Sequence, residues 1–426
     1  MMIEKIRENT ILEDGVLYLD FTASGLGYKP IEEKLQNILK TYANTHSQTG
    51  NNSKITSNYY NLARESLKKS LEISDDFYII PCGTGATGAI KKFQELLGLY
   101  IPPATKKRYK IKPNKKDLPL VIIGPFEHHS NEVSFREALC EVVRIPLNRN
   151  ETIDLEELKR VLEQNSDREI FGSFAVASNV TGIINPIEEI YNIMHKYKAT
   201  VCLDAAASSA YMNVESKYYD VLFLSPHKLL GGPGSCGLLV IKKTLCNCKE
   251  VPTFAGGGTV SYVSRASHIF SQDLEIKEDA GTPGVLQFIK ASLAYELRNK
   301  VGLNYIAKKE QELKMCFKKE IQNFKNIKLY CLESHKKLTT FSFNIIGLDP
   351  YKLARVLSNK FKIEVRAGCS CAGPYGHDLL GFEDNQEFLQ QPGWIRVSFH
   401  FTHNCEDIKY FFKSLNNSIS ILSSEN

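Results

Sequence analysis

Two cysteines stand one residue apart in Val365–Gly381, VRAGCSCAGPYGHDLLG, on a stretch punctuated by Gly368, Gly373, Pro374 and Gly376. Thiols in that setting are open to four uses: packing, half of a metal site, a disulfide, or a nucleophile on an arm that glycine leaves free to move. Upstream, Gly83-Thr84-Gly85-Ala-Thr-Gly88 follows the apolar run FYIIPC and opens a helix, so it offers bare N–H groups to a phosphate. The spacing is also that of a dinucleotide loop, but such a loop needs an acid about 20 residues on at a strand end, and the next strand ends only at Glu127. A plain tight turn is the third reading. In VCLDAAASSA, Asp204 closes an apolar strand, where ligands of open parallel sheets sit, unless it only caps the next helix. In VLFLSPHKLLGGPGSCGLLVI, Lys228 follows a strand and a Ser-Pro-His turn and precedes Gly231, Gly232 and Gly234. An amine there is poorly solvated, loses its proton readily and can form a Schiff base with an aldehyde. Together these three features meet the needs of pyridoxal phosphate: an acid for the pyridinium nitrogen, an amine for the aldehyde and N–H groups for the phosphate.

The elements that must position these groups alternate apolar runs of strand length with amphipathic segments of helix length, the pattern of a mostly parallel sheet flanked by helices. Strands are expected at Phe77–Pro81, Leu120–Ile123, Ile170–Ala175, Thr200–Leu203, Val221–Leu224 and Gly237–Ile241, and helices at Thr87–Leu99, Glu132–Leu139, Leu155–Gln164, Ile187–Tyr197 and Val285–Asn299. This predicts a large α/β domain over residues 20–300, bearing the pyridoxal-phosphate site. Beyond it, a charged helix Ala307–Asn323, a strand Thr339–Ile345, a helix Tyr351–Phe361 and the alternating strand Trp394–Phe401 predict a smaller α+β domain over 301–426. The small domain carries the cysteine loop, and residues 1–19 are expected to pack on it.

Of the 426 residues, 43% are apolar, enough for a full core, and 24% are charged, enough to coat it. Eleven cysteines are too sparse for a disulfide scaffold and fit a reducing compartment, with residues such as Cys140 and Cys202 acting as small buried hydrophobes. No stretch approaches the ~20 apolar residues of a membrane span, and the acidic N-terminal stretch MMIEKIRENTILEDG resembles neither a signal nor a transit peptide. The expectation is a soluble cytoplasmic protein. The net charge of +5 resides in one insertion, residues 101–118, with seven Lys/Arg and one acid; the remainder sums to −1. That insertion reads as a solvated surface loop, with nucleic acid or an acidic partner the less favoured use.

The chain resembles the class V aminotransferases of pyridoxal-phosphate fold type I and, within them, the cysteine desulfurases, from LDFTASGLGYKP near one end to IRVSFHFTHNCEDI near the other. The resemblance implies a homodimer that binds pyridoxal phosphate. It assigns Lys228 to the Schiff base, Asp204 to the pyridinium nitrogen and His128 of EHHSN to stacking on the ring, and sets Asn179 of SNVTG near the phenolic oxygen. It places the phosphate among Thr84, Gly85, Ser225 and His227, with Thr282 of EDAGTPG reaching the partner's phosphate and Gly256–Val260 in the same shared region. Arg396 would clamp the substrate carboxylate, and Cys371 would take sulfur from L-cysteine as a persulfide, leaving alanine and passing sulfur to an acceptor protein. Read alone, His128 and His129 are equally polar residues after a strand, and Arg396, alternating with Ile395 and Val397, could face solvent.

Two positions depart from the family. Ala207 stands where Gln is usual, which removes an amide donor and keeps open another class V transaminase or lyase, or a molybdenum-cofactor sulfurase-like enzyme. Cys369 stands where histidine is frequent, leaving it to pack, relay sulfur or form a disulfide. The competing class is a metal-binding interaction protein built on Cys246, Cys248, Cys369, Cys371 and His403 or Cys405, but cysteines one residue apart are closer than zinc knuckles usually place them. No metal is expected.

Overall fold

The protein, seen here as a computed structural model, is described over residues 2–45, 47, 49–331, 336–383 and 392–424. Its centre is a seven-stranded sheet of β1 (Phe77–Cys82), β2 (Leu120–Ile123), β3 (Glu141–Arg144), β4 (Ile170–Ala175), β5 (Thr200–Asp204), β6 (Val221–Leu224) and β7 (Gly237–Lys242), in spatial order β1-β7-β6-β5-β4-β2-β3. β7 runs antiparallel to both neighbours; every other pairing is parallel. Successive side chains enter different cores: Ile79, Leu203 and Val240 join one apolar cluster, Ile80, Cys202 and Leu239 the other. A sheet buried on both faces needs no polar alternation, so its strands read as unbroken apolar runs.

The expected mostly parallel sheet is therefore present, with one strand more. β3 offers only Val142 and Val143 between Glu141 and Arg144 and pairs on one side, so its signal is short and diluted. The 21-residue helix Asn51–Leu71 also escapes a hydrophobicity reading. Its buried positions, Ser53, Thr56, Tyr60, Ala63, Leu67, Ser70 and Leu71, keep helical spacing, but four of the seven are small or polar. The insertion at 101–118 is not all loop: Pro103–Tyr109 forms a helix with no buried residue, whose basic groups project to solvent.

A second sheet, β8 (Ile327–Tyr330), β9 (Thr340–Ile345), β10 (Arg366–Gly368) and β11 (Trp394–Ser398), is antiparallel in the order β8-β9-β11-β10. Its core gathers Phe317, Phe341, Phe399, Phe411 and Leu415 with Leu17 and Leu19 from the N-terminal segment. Leu17–Tyr18 pairs in parallel with Ile363–Glu364. The helices Leu303–Ile321 and Cys405–Ser424 bring Cys316 and Cys405 to a Cα separation of 5.8 Å, where they form a disulfide. The sequence reading did not foresee that pairing, and spacing could not show it, since 89 residues separate the two. Among the described residues no helix is long and apolar enough to cross a membrane.

Candidate active site

The ends of several strands of the large sheet and the helix starts that follow them converge on a cavity of about 200 Å³. Thr84 caps α1 (Gly85–Leu96), which leaves β1 and points its first turn into the cavity. Gly85 has φ +54°, and a Cβ there would lie 2.6 Å from His227 Cε1 and 2.8 Å from Ser225 Oγ. Only glycine lets this helix start pack so closely against those two side chains. Ser225 Oγ accepts from the Ala86 N–H at 2.8 Å, which leaves the hydroxyl proton free to donate. The first-turn N–H groups, Thr84, Ser225 and His227 thus form one cradle suited to a phosphate.

Asp204 ends β5, buried, with Oδ1 accepting from the Ala206 N–H at 2.9 Å; burial raises its pKa, opposed by that hydrogen bond and by Lys228. Lys228 ends the short turn Pro226–Lys228 after β6. Burial, with Arg396 and Arg366 nearby, lowers its pKa to about 8 against the pull of Asp204 and Asp20. An amine there gives up its proton far more readily than a solvated lysine, although below about pH 8 the charged form still predominates.

α2 (His129–Arg136) starts three residues before the expected Glu132, because His128 caps it: Nδ1 accepts from the Ser130 N–H at 3.1 Å. Burial, with the charge of Lys228, lowers the His128 pKa to about 4 and leaves the imidazole neutral beside the cavity. Beneath it runs a network absent from the sequence reading. Glu127 accepts from the Ala175 N–H at 2.9 Å and from Asn131 Nδ2 at 2.5 Å, and Asn131 Oδ1 accepts from Ser173 Oγ at 2.6 Å. EHHSN held the signal, but only three dimensions show Glu127 turned inward. The remaining wall is small and apolar, with Ala175, Ala177, Ala206 and Ala207 beside Phe126.

Arg396 lies on β11, only 2% exposed, so it does not face solvent. Its guanidinium donates to Asp20 Oδ1 at 2.6 Å and to the Asn179 carbonyl at 3.0 Å, while Nε is buried without a partner among the described residues. Asp20 was not among the expected site residues. Arg366 of β10, opposite Arg396 in the sheet register, lines the same cavity. Asn179 Nδ2 donates to the Ser370 carbonyl at 2.7 Å, and its Oδ1 is buried without a partner among the described residues. These orphaned atoms and the glycine cradle mark a cavity built for a polar group with a phosphate, and the donor set fits pyridoxal phosphate.

Cys371 lines the cavity just before α3 (Gly373–Leu380), half-buried; Cys369 instead packs beside the apolar cluster of Phe126, Tyr375 and Trp394. Cys246 and Cys248 lie elsewhere, beside Tyr78, and among the described residues no group of three or more His, Cys, Asp or Glu could hold a metal. Thr282 is outside the cavity, exposed, its Oγ1 accepting from Asn44 Nδ2 at 3.3 Å. It adjoins Gly256–Val260 through the Gly281 N–H to Gly257 O bond of 2.7 Å, and Gly258, Val260 and Pro283 line a second hollow of about 760 Å³.

A family model described as aminotransferase class-V matches residues 17–411. A probable cysteine desulfurase of Halalkalibacterium halodurans is 26% identical over 94% of this chain and 92% of its own length. One from Pyrococcus abyssi is 27% identical over 99% and 98%. Among solved structures, an apo cysteine desulfurase from Thermococcus onnurineus has a TM-score of 0.80 at 23% identity, covering 97% of each chain. The cysteine desulfurase CsdA from Escherichia coli has a TM-score of 0.78 at 21% identity, covering 98% of each.

Proposed function

The chain belongs to the class V aminotransferase family, and from that premise we propose that it is a pyridoxal-phosphate-dependent cysteine desulfurase, with Cys371 as the residue that receives sulfur. The observation that carries this reading is the convergence of Lys228, Asp204 and Cys371 on one cavity. When bound, the cofactor supplies an electron sink conjugated to the substrate's Cα.

Thr84, Gly85, Ser225 and His227 would hold its phosphate, Asp204 the proton on its ring nitrogen, and Asn179 and His128 its ring. Arg396 and Arg366 provide the positive charge that draws in the carboxylate of L-cysteine, with Asp20 fixing the Arg396 fork. Lys228, its pKa lowered to about 8, takes the Cα proton. The Cys371 thiolate then attacks the substrate sulfur. A bond forms between the two sulfurs, the substrate Cβ–S bond breaks, and its electron pair stays with the carbon skeleton, which leaves as alanine after protonation. The sulfur remains as a Cys371 persulfide for an acceptor protein. The protein acts as a homodimer, with Thr282 and Gly256–Val260 serving the partner's site.

Incubation of the cofactor-loaded protein with L-cysteine is expected to yield alanine with persulfide on Cys371. Cys371→Ser should abolish the persulfide while retaining cofactor, and Cys369→Ser should still release sulfur. Pyruvate with ammonia, or a keto acid, would instead identify a lyase or transaminase, the outcome that Ala207 in the cavity wall leaves room for.

A further inference from the structure

We propose that His129 is a positioning residue, a latch that holds the Cys371 loop over the cavity. The proposal rests on the reading of Cys371 as the sulfur-receiving residue. The loop is locally strained: Ser370 and Cys371 take φ of +54° and +57°, left-handed values uncommon for residues other than glycine. Such a backbone persists only where its surroundings hold it.

The turn is closed by its own bond from the Ala372 N–H to the Cys369 carbonyl at 3.1 Å, and three further hydrogen bonds tie it to segments following strands of the large sheet. Asn179 Nδ2 donates to the Ser370 carbonyl at 2.7 Å. The other two belong to His129. Its backbone N–H donates to the Cys371 carbonyl at 2.9 Å, and its ring Nε2 accepts from the Gly373 N–H at 2.9 Å. His129 and Gly373 are the first residues of α2 and α3, so each of these donors is a helix-start N–H with no partner inside its own helix. A Cβ at position 373 would stand 3.2 Å from Nε2; glycine lets the ring come that close. Accepting from Gly373 requires Nε2 to carry a lone pair, which sets the proton on Nδ1.

The first turn of α2 therefore does two things. His128 faces the cavity, and the next residue ties the thiol loop to the same helix start. The reach from Cys371 to the substrate is set by that turn, and breaking two hydrogen bonds to one residue frees the loop to carry sulfur outward.

Thiol labelling tests the latch without turnover. In the full chain, the rate of Cys371 carbamidomethylation by iodoacetamide, followed by peptide mass spectrometry, should rise on the order of tenfold in His129→Leu, equivalent to about 1.4 kcal/mol. His129→Gln, whose Oε1 can accept from Gly373, should restore a rate close to that of the unaltered protein. An unchanged rate in His129→Leu, or an equal rise in both variants, would overturn the latch. Hydrogen exchange of the unaltered chain gives a measurement independent of either variant's folding: the Gly373 amide should be protected, and exchange at the rate of an unbonded amide would overturn the proposal. A failure to form persulfide in the product assay would overturn the sulfur-receiving role of Cys371 but not the latch.

Discussion

Lys228 is held between opposing influences: burial and the two arginines strip its proton, while Asp204 and Asp20 retain it. Because only the neutral amine can take the Cα proton, the rate should climb with pH and level off above about 8. A profile flat across that value would place the base elsewhere. Lys228→Ala should lower turnover by at least ~10²-fold and abolish cofactor fixed by borohydride. Asp204→Asn should retain cofactor yet lose activity on the order of 100-fold, since an uncharged amide no longer holds the ring proton; near-normal turnover would misplace that role. Lys228, Asp204 and Cys371 were legible because each follows a local pattern, a strand end or a glycine-rich turn. Asp20 and Glu127 were not: Asp20 meets Arg396 across 376 residues, and Glu127 is defined by an inward turn that no spacing records.

At the scale of elements, the start of α1 carries the clearest consequence. Gly85→Ala would add a Cβ within 2.6 Å of His227 and impose a left-handed φ on a side-chain-bearing residue, a backbone cost of about 1–2 kcal/mol. The cradle must open, so affinity for pyridoxal phosphate, measured by absorbance titration, should fall on the order of tenfold for each ~1.4 kcal/mol transmitted to the bound state. Wild-type affinity would show that the phosphate sits elsewhere. The sheet that presents α1 was readable because double burial requires continuous apolar strands. The helix Asn51–Leu71 was not, because it packs against Val285–Val301 largely through small and polar side chains, which carry helical period without hydrophobic contrast.

At the scale of the whole molecule, the segment around Gly256–Val260 exposes apolar side chains to solvent. Phe254 is 74% exposed, Val263 61% and Ile269 56%. Exposed apolar side chains of this kind suit a surface that meets another protein, and a two-fold pairing would cover them twice. Light scattering should give the mass of a dimer; a fully active monomer would refute the shared site.

Sequence by itself determined the α/β class, six of the seven strands of the large sheet, and the residues whose chemistry depends on being at a strand end or a glycine turn. Those features are local, written in the period of apolar residues and in the few residue types a turn accepts. Only the tertiary structure decided that Arg396 is buried against Asp20, that Cys369 packs beside Phe126, Tyr375 and Trp394, and that Cys316 meets Cys405. Each depends on segments far apart in the chain, whose approach is set by the packing of two sheets and leaves no periodic trace in either segment.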